Sequence, residues 1–151
     1  MKLSWNHLKI SIAGAKLTHL AQKDRMWDHG SMIEQVRTAF VYLKKGFLKN
    51  DPSIVKKCIT SGGYKKISGD IELGKSNNIT NADLVSVEII TVIPSKHNQP
   101  DKFKALIKLK KTKEEENLTE PVSFYKANLL LEQEWLFVHE GNWWLLDEIK
   151  K

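Results

Sequence analysis

Between Gly30 and Lys49 the apolar residues Ile33, Val36, Phe40, Leu43 and Phe47 recur at steps of three and four, while Lys44, Lys45 and Lys49 fall elsewhere. That spacing returns to one side of a helix and predicts a long amphipathic helix. Asp51-Pro52 pairs an N-cap side chain with a first-turn residue, and predicts a short helix carrying Ile54, Val55, Cys58 and Ile59. Thr60 or Ser61 can cap a third helix with the stripe Tyr64, Ile67 and Ile71, stopping near Gly74. Gly62-Gly63 is expected to loosen its first turn.

After the polar break Lys75-Ser76-Asn77-Asn78 the period falls to two, and the chain reads as strands. One strand turns Val85, Val87, Ile89 and Ile93 to the core. The next turns Phe103, Ala105, Ile107 and Leu109 inward, and the third Tyr125, Ala127, Leu129, Leu131, Trp135 and Phe137. Glu88, Lys104, Lys108, Lys110, Lys126, Glu132 and Glu134 take the alternate, wet positions. Loops are expected at Pro94 to Asp101 and at Lys111 to Pro121.

Of five tryptophans, Trp135, Trp143 and Trp144 cluster near the C-terminus around Glu140-Gly141. With these two residues as a hairpin turn, Phe137 faces Trp144 and Trp135 faces Leu146, all four on the core side. Trp143 then pairs with Val138, and Leu136 with Leu145, on the other side. With Leu84, Ile90, Val92, Leu106 and Leu130 they form a partly apolar outer patch, of the kind that meets a second copy or a partner protein. Leu136, Val138, Trp143 and Leu145 are its interface candidates. Phe40, Leu43, Tyr64, Tyr125, Gln133, Trp135, Phe137 and Trp144 are the candidates for lining an apolar cavity between helices and sheet.

Residues Met1 to Lys23 fit two templates, since Leu8, Ile10 and Ile12 alternate like a strand while Leu3, Ile10 and Leu17 repeat like a helix. Lys2, Lys9, Lys16 and Lys23 recur at every seventh position. In a helix they would lie together, and with Trp5, Leu8 and Ile12 would suit an anionic lipid surface. The chain divides on this reading into a basic arm or helix, 1–23, and an α+β domain, 24–151.

A length of 151 residues and 41% hydrophobic content suit one domain beyond that arm. The net charge of +6 suits an anionic partner, yet only Arg25 and Arg37 are arginines, so bidentate phosphate or base readout is poorly supplied. Lys104, Lys108, Lys110 and Lys126 form a basic stripe, but Phe124 and Trp143 are its only outward rings and Glu88, Glu132 and Glu134 dilute it. Nucleic-acid binding is therefore an alternative and not the first expectation. The single cysteine, Cys58, excludes an internal disulfide, lacks company for a zinc site and sits among apolar neighbours as a core residue. No metal or cofactor is expected. No apolar run approaches the roughly 18 residues that span a bilayer. Asn6, His7 and Lys9 interrupt what would be a signal-peptide core, so the expected location is cytoplasmic, or peripheral on the inner membrane, rather than secreted.

Catalysis would need an acid or base aimed between helices and sheet. The inward polar strand residues are Thr91, Ser123 and Gln133, and His7, His19, His29, His97 and His139 fall in the arm, before the long helix or in loops. The expectation is a non-enzymatic binding or tethering domain, with a small-molecule enzyme of the ketosteroid isomerase-like type as the alternative.

Several stretches resemble the Tim forty-four-like domain family, found in the mitochondrial import-motor anchor and in bacterial membrane-associated proteins. They are Asp24-Arg25-Met26-Trp27-Asp28, then Phe40 to Asp51, then Glu134, Trp135 and Phe137, and last Gly141-Asn142-Trp143-Trp144-Leu145-Leu146 to Ile149. The resemblance implies a cone-shaped, nuclear transport factor two-like fold, with N-terminal helices in the concavity of a curved antiparallel sheet of about four strands. It also implies contact with lipid surfaces and tethering of proteins; the apolar cavity expected between helices and sheet would, for its part, accept a lipid-like or other apolar group.

Overall fold

The computed structural model describes residues 5–74, 79–112 and 128–150. Helices α1 (Trp5–Lys23), α2 (His29–Lys49) and α3 (Ser61–Glu72) are joined by short 3-10 helices at Arg25–Trp27 and Pro52–Cys58. Four strands follow: β1 (Ala82–Ile93), β2 (Lys102–Thr112), β3 (Asn128–Glu140) and β4 (Trp143–Lys150). They form one curved antiparallel sheet in chain order, and the helices pack against it as an α+β fold.

Aspartates and a threonine start the helical segments. Asp24 accepts a hydrogen bond from the Met26 N–H, Asp28 from the Ser31 N–H and Asp51 from the Ser53 N–H, each satisfying a donor that the first turn leaves free. The Ser53 hydroxyl, and next its N–H, hold the Asp51 carboxyl below the ordinary carboxylate range. The stabilisation by this cap is therefore present above the ordinary value and is lost as pH falls through the lowered one. Helix α2 ends at Asn50, which takes the left-handed conformation at φ 50°. Met32, Val36, Phe40, Leu43 and Phe47 form its buried stripe, with Ile33 half-buried beside it.

The N-terminal segment, ambiguous in its periodicity, is helical. Ala13 and Leu17, one turn apart, are buried in the same core as α2 and the sheet, with Leu20 and Ala21 packed against it.

Helix α3 runs without a break through Gly62-Gly63, against the expectation that these glycines loosen it. A Cβ on Gly63 would lie 2.8 Å from Ile59 Cγ1 and 2.9 Å from the Leu146 carbonyl oxygen, so glycine lets the helix approach β4. Thr60 fixes that approach: its hydroxyl oxygen accepts from the Gly63 N–H at 3.0 Å while its O–H donates to Asp147 Oδ1 at 2.6 Å.

The β2–β3 ladder is regular, and both outer strands are bulged. Pairing on β1 skips Val85 and again Ile90. Each extra residue exchanges the faces. Leu84 and Val92, expected outside, therefore stand on the core side, while Val85 and Ile93, expected inside, are exposed and Thr91 lies opposite Lys104 on the outer face. Val87 and Ile89 keep their expected place. On β4 the hairpin turn is Gly141-Asn142 and not Glu140-Gly141. Glu140 pairs with Trp143, His139 with Trp144 and Phe137 with Leu146; Asp147 is skipped, and Trp135 then meets Ile149. Gly141 alone of the turn pair takes a positive φ, 61°, as a turn with glycine first requires. As far as Leu146 the register differs from expectation by two residues, and an even shift leaves those faces unchanged; beyond the skipped Asp147 it differs by three, and Ile149 turns to the core side while Glu148 is exposed.

Two sets of variants test these contacts by urea denaturation. Gly63→Ala is expected to cost about 1 to 3 kcal/mol by overpacking, while Gly62→Ala, which has room, changes stability by no more than about 1 kcal/mol, and in the stabilising direction. Leu17→Ala is expected to cost about 2 to 5 kcal/mol, as for a core leucine and unlike a residue in a detached arm.

Candidate functional site

The aromatic residues divide by strand parity into a buried set and an exposed one. Trp144 lies with its ring 5.1 Å from Trp27, 4.8 Å from Phe103 and 4.9 Å from His139, centre to centre. Its indole N–H donates to the Met26 carbonyl at 3.0 Å and its backbone N–H to the Gln35 side-chain oxygen at 2.7 Å. Trp135 is fully buried beside Phe40 and Phe137, and its indole N–H donates to the Gln133 side-chain oxygen at 2.9 Å. Phe137 stacks on Phe103 at 5.0 Å.

Of the cavity candidates, Phe40, Leu43, Gln133, Trp135, Phe137 and Trp144 are thus packed as core. Tyr64 stands apart, half-buried, with the Lys56 ammonium 5.3 Å from its ring centre, and Tyr125 lies outside the described residues. Gln133 and Thr60 are the buried polar side chains among the described residues. Ser123 and Phe124, singled out for enzyme and nucleic-acid chemistry, also lie outside them.

Among the interface candidates, Val138 is buried, Leu136 and Leu145 are half-buried, and Trp143 is 65% exposed. Leu136 lies in a small cleft of ≈ 100 Å³ among Lys104, Glu134, Glu148 and Lys150. From the wider outer patch, Ile90 and Leu106 are buried outside the main core cluster and Leu130 is exposed.

Larger clefts lie at the edge of β4. One of ≈ 460 Å³ is bounded by Gln35, Thr38 and Tyr42 of α2, by Lys57 and Cys58, and by Trp143, Trp144 and Leu145 of β4. A second, of ≈ 390 Å³, lies between α3 and the C-terminal half of β4, with Lys66, Asp70 and Glu148 at its walls. A third, of ≈ 420 Å³, includes Arg25, His139 and Asn142. The α2 residues of the first cleft escaped the sequence reading because they flank the apolar stripe, although their spacing of three and four marks one helix face. Cys58 is buried as expected; its thiol donates to the Val55 carbonyl, and burial pushes its pKa up to about 12, so at neutral pH it is a protonated thiol and no nucleophile.

Helix α1 presents a different surface. With Ala13 and Leu17 inward, Trp5, Leu8 and Ile12 are 68%, 43% and 52% exposed on another flank. Lys9 and Lys16 border that flank and Lys23 continues it, Lys9 Nζ lying 5.8 Å from the Trp5 ring centre, and the helix contains no acidic residue. Lys2 lies outside the described residues. No described helix is long and apolar enough to cross a membrane, and no three described His, Cys, Asp or Glu side chains gather into a metal-binding group. Comparison with known proteins finds no matching family model, no matching characterised protein and no matching solved structure.

The tryptophans are expected to separate in urea melts. Trp135→Ala or Trp144→Ala should cost about 3 to 5 kcal/mol, whereas Trp143→Ala should stay within about 0.5 kcal/mol of the parent.

Proposed function

We propose that this chain is a non-enzymatic tethering domain that rests on an anionic membrane surface through α1. The observation that carries this reading is the exposed flank of α1. A helix pinned to its domain by Ala13 and Leu17 holds Trp5, Leu8 and Ile12 outward beside Lys9, Lys16 and Lys23. Apolar side chains of this kind enter the headgroup boundary, and each lysine near an anionic surface contributes about 1 kcal/mol. Because the helix carries no acid, nothing on it opposes that attraction. The rest of the domain supplies a rigid body for the helix to position. The reading needs neither an internal cavity nor catalytic chemistry, and agrees with the resemblance to Tim forty-four-like domains and with a peripheral location on the inner membrane.

Point substitutions on the exposed flank are the clean test, because deleting α1 would also remove core residues. The full chain is expected to sediment with phosphatidylglycerol-containing vesicles at low ionic strength, to be released by salt, and to ignore phosphatidylcholine vesicles. The double variant Lys9→Glu/Lys16→Glu should bind at least about tenfold more weakly with its melting temperature preserved. Equal sedimentation of parent and variant at low salt would overturn the proposal.

A further inference from the structure

The cleft between α2, the Pro52–Cys58 segment and β4 shows a specific pattern of occupied and unoccupied polar groups. The Trp144 backbone N–H is taken by the Gln35 amide oxygen and its indole N–H by the Met26 carbonyl. The Thr38 hydroxyl donates to the Glu34 carbonyl and the Cys58 thiol to the Val55 carbonyl. What remains is of one kind. Lys57, Tyr42 and Trp143 line the cleft with no side-chain hydrogen bond or ion pair to another described residue, and each side chain carries a donor: an ammonium, a hydroxyl and an indole N–H. Among the described residues no carboxylate lines the cleft, so none of them balances the Lys57 charge there. The apolar residues of the lining are Leu145 and the aromatic Tyr42, Trp143 and Trp144, and Trp143 is 65% exposed.

We propose that this cleft is a binding site for a small apolar carboxylate, its body against Trp143, Tyr42 and Leu145 and its anionic end on Lys57. The volume of ≈ 460 Å³ falls within the range of small-molecule sites. A lone flexible ammonium suits a monoanion. A phosphate dianion would call for more cations, or for an arginine fork, and neither lines the cleft among the described residues. The occupant is a free small molecule rather than a protein segment, because the site offers point donors around a pocket and no run of free strand edge: Trp144 and Leu146 of β4 are already engaged by Gln35 and by the Thr60 N–H. The site shares no residue with the exposed flank of α1, so it stands or falls independently of membrane binding.

The test is a titration of the full chain with 2-naphthoate, and with 2-naphthalenemethanol as its uncharged counterpart, followed by the tryptophan indole and backbone amide resonances. Naphthoate is expected to shift the Trp143 indole and Leu145 amide signals saturably and to leave the Trp135 indole in place, with the alcohol binding about tenfold more weakly. Lys57→Glu should weaken naphthoate by about tenfold or more and leave the alcohol unchanged, while Lys56→Glu should alter neither. Trp143→Ala, read at Leu145, should remove both, with the fold verified by a thermal melt. Absence of a saturable shift at Trp143 and Leu145 overturns the site. Equal affinity for acid and alcohol, or naphthoate binding untouched by Lys57→Glu, overturns the carboxylate recognition.

Discussion

The arrangement of helices and sheet depends on one side chain, Trp144, on the outermost strand. Its ring meets aromatic groups from the Arg25–Trp27 helix, β2 and β3, and its two N–H groups reach the Met26 carbonyl and the Gln35 side chain of α2. A buried indole is large and apolar, but its single donor must be satisfied or burial becomes costly. Here the acceptor is a main-chain carbonyl, so satisfying the indole also sets where the chain passes between α1 and α2. The free edge of β4 is handled in the same way, with Gln35 and the Thr60 N–H using edge groups that would otherwise remain open to another strand.

Irregularities are confined to the two outer strands, and each has a consequence. The β4 bulge releases Asp147 from the ladder, and its carboxylate accepts from the same Thr60 hydroxyl that caps α3. Strand β4 is thereby tied to the start of α3, where Gly63 permits contact with the Leu146 and Asp147 carbonyls. On β1 the bulges re-aim side chains instead, bringing Leu84 and Val92 to the core and sending Val85 outward. At the start of the same strand the Lys44 ammonium, from α2, donates to the Ala82 carbonyl and lies 3.6 Å from the Asp83 carboxylate.

With helices and sheet meeting through packed aromatic side chains, the clefts and exposed apolar residues of the described chain lie at the periphery. Two of these features, the α1 flank and the Trp143 cleft, are the sites proposed above. Each results from a residue pattern split between two demands: α1 gives one stripe to the core and another to solvent, and the Trp143-Trp144 pair sends neighbouring rings to opposite faces of β4.

The sequence alone determined the long helix, the Asp51-Pro52 and Thr60 starts, the change of period into strands, and the inward set Phe103, Ala105, Ile107, Trp135 and Phe137. These follow from local capping and from alternation along unbroken strands, which any fold of this chain must respect. It also determined that Trp143 and Trp144 part company, because parity survives a register error of two. Tertiary structure decided the rest. The first helix was ambiguous because only two of its residues, Ala13 and Leu17, are buried, too few for a clear period. The bulges at Val85 and Ile90 have no local signature, because each falls in an apolar pair, Leu84-Val85 and Ile89-Ile90, either member of which could face the core. The donors around Lys57, Tyr42 and Trp143 lie far apart in sequence and became one site only when α2, the Pro52–Cys58 segment and β4 packed together, since convergence in space is a property of the fold and not of any single stretch of chain.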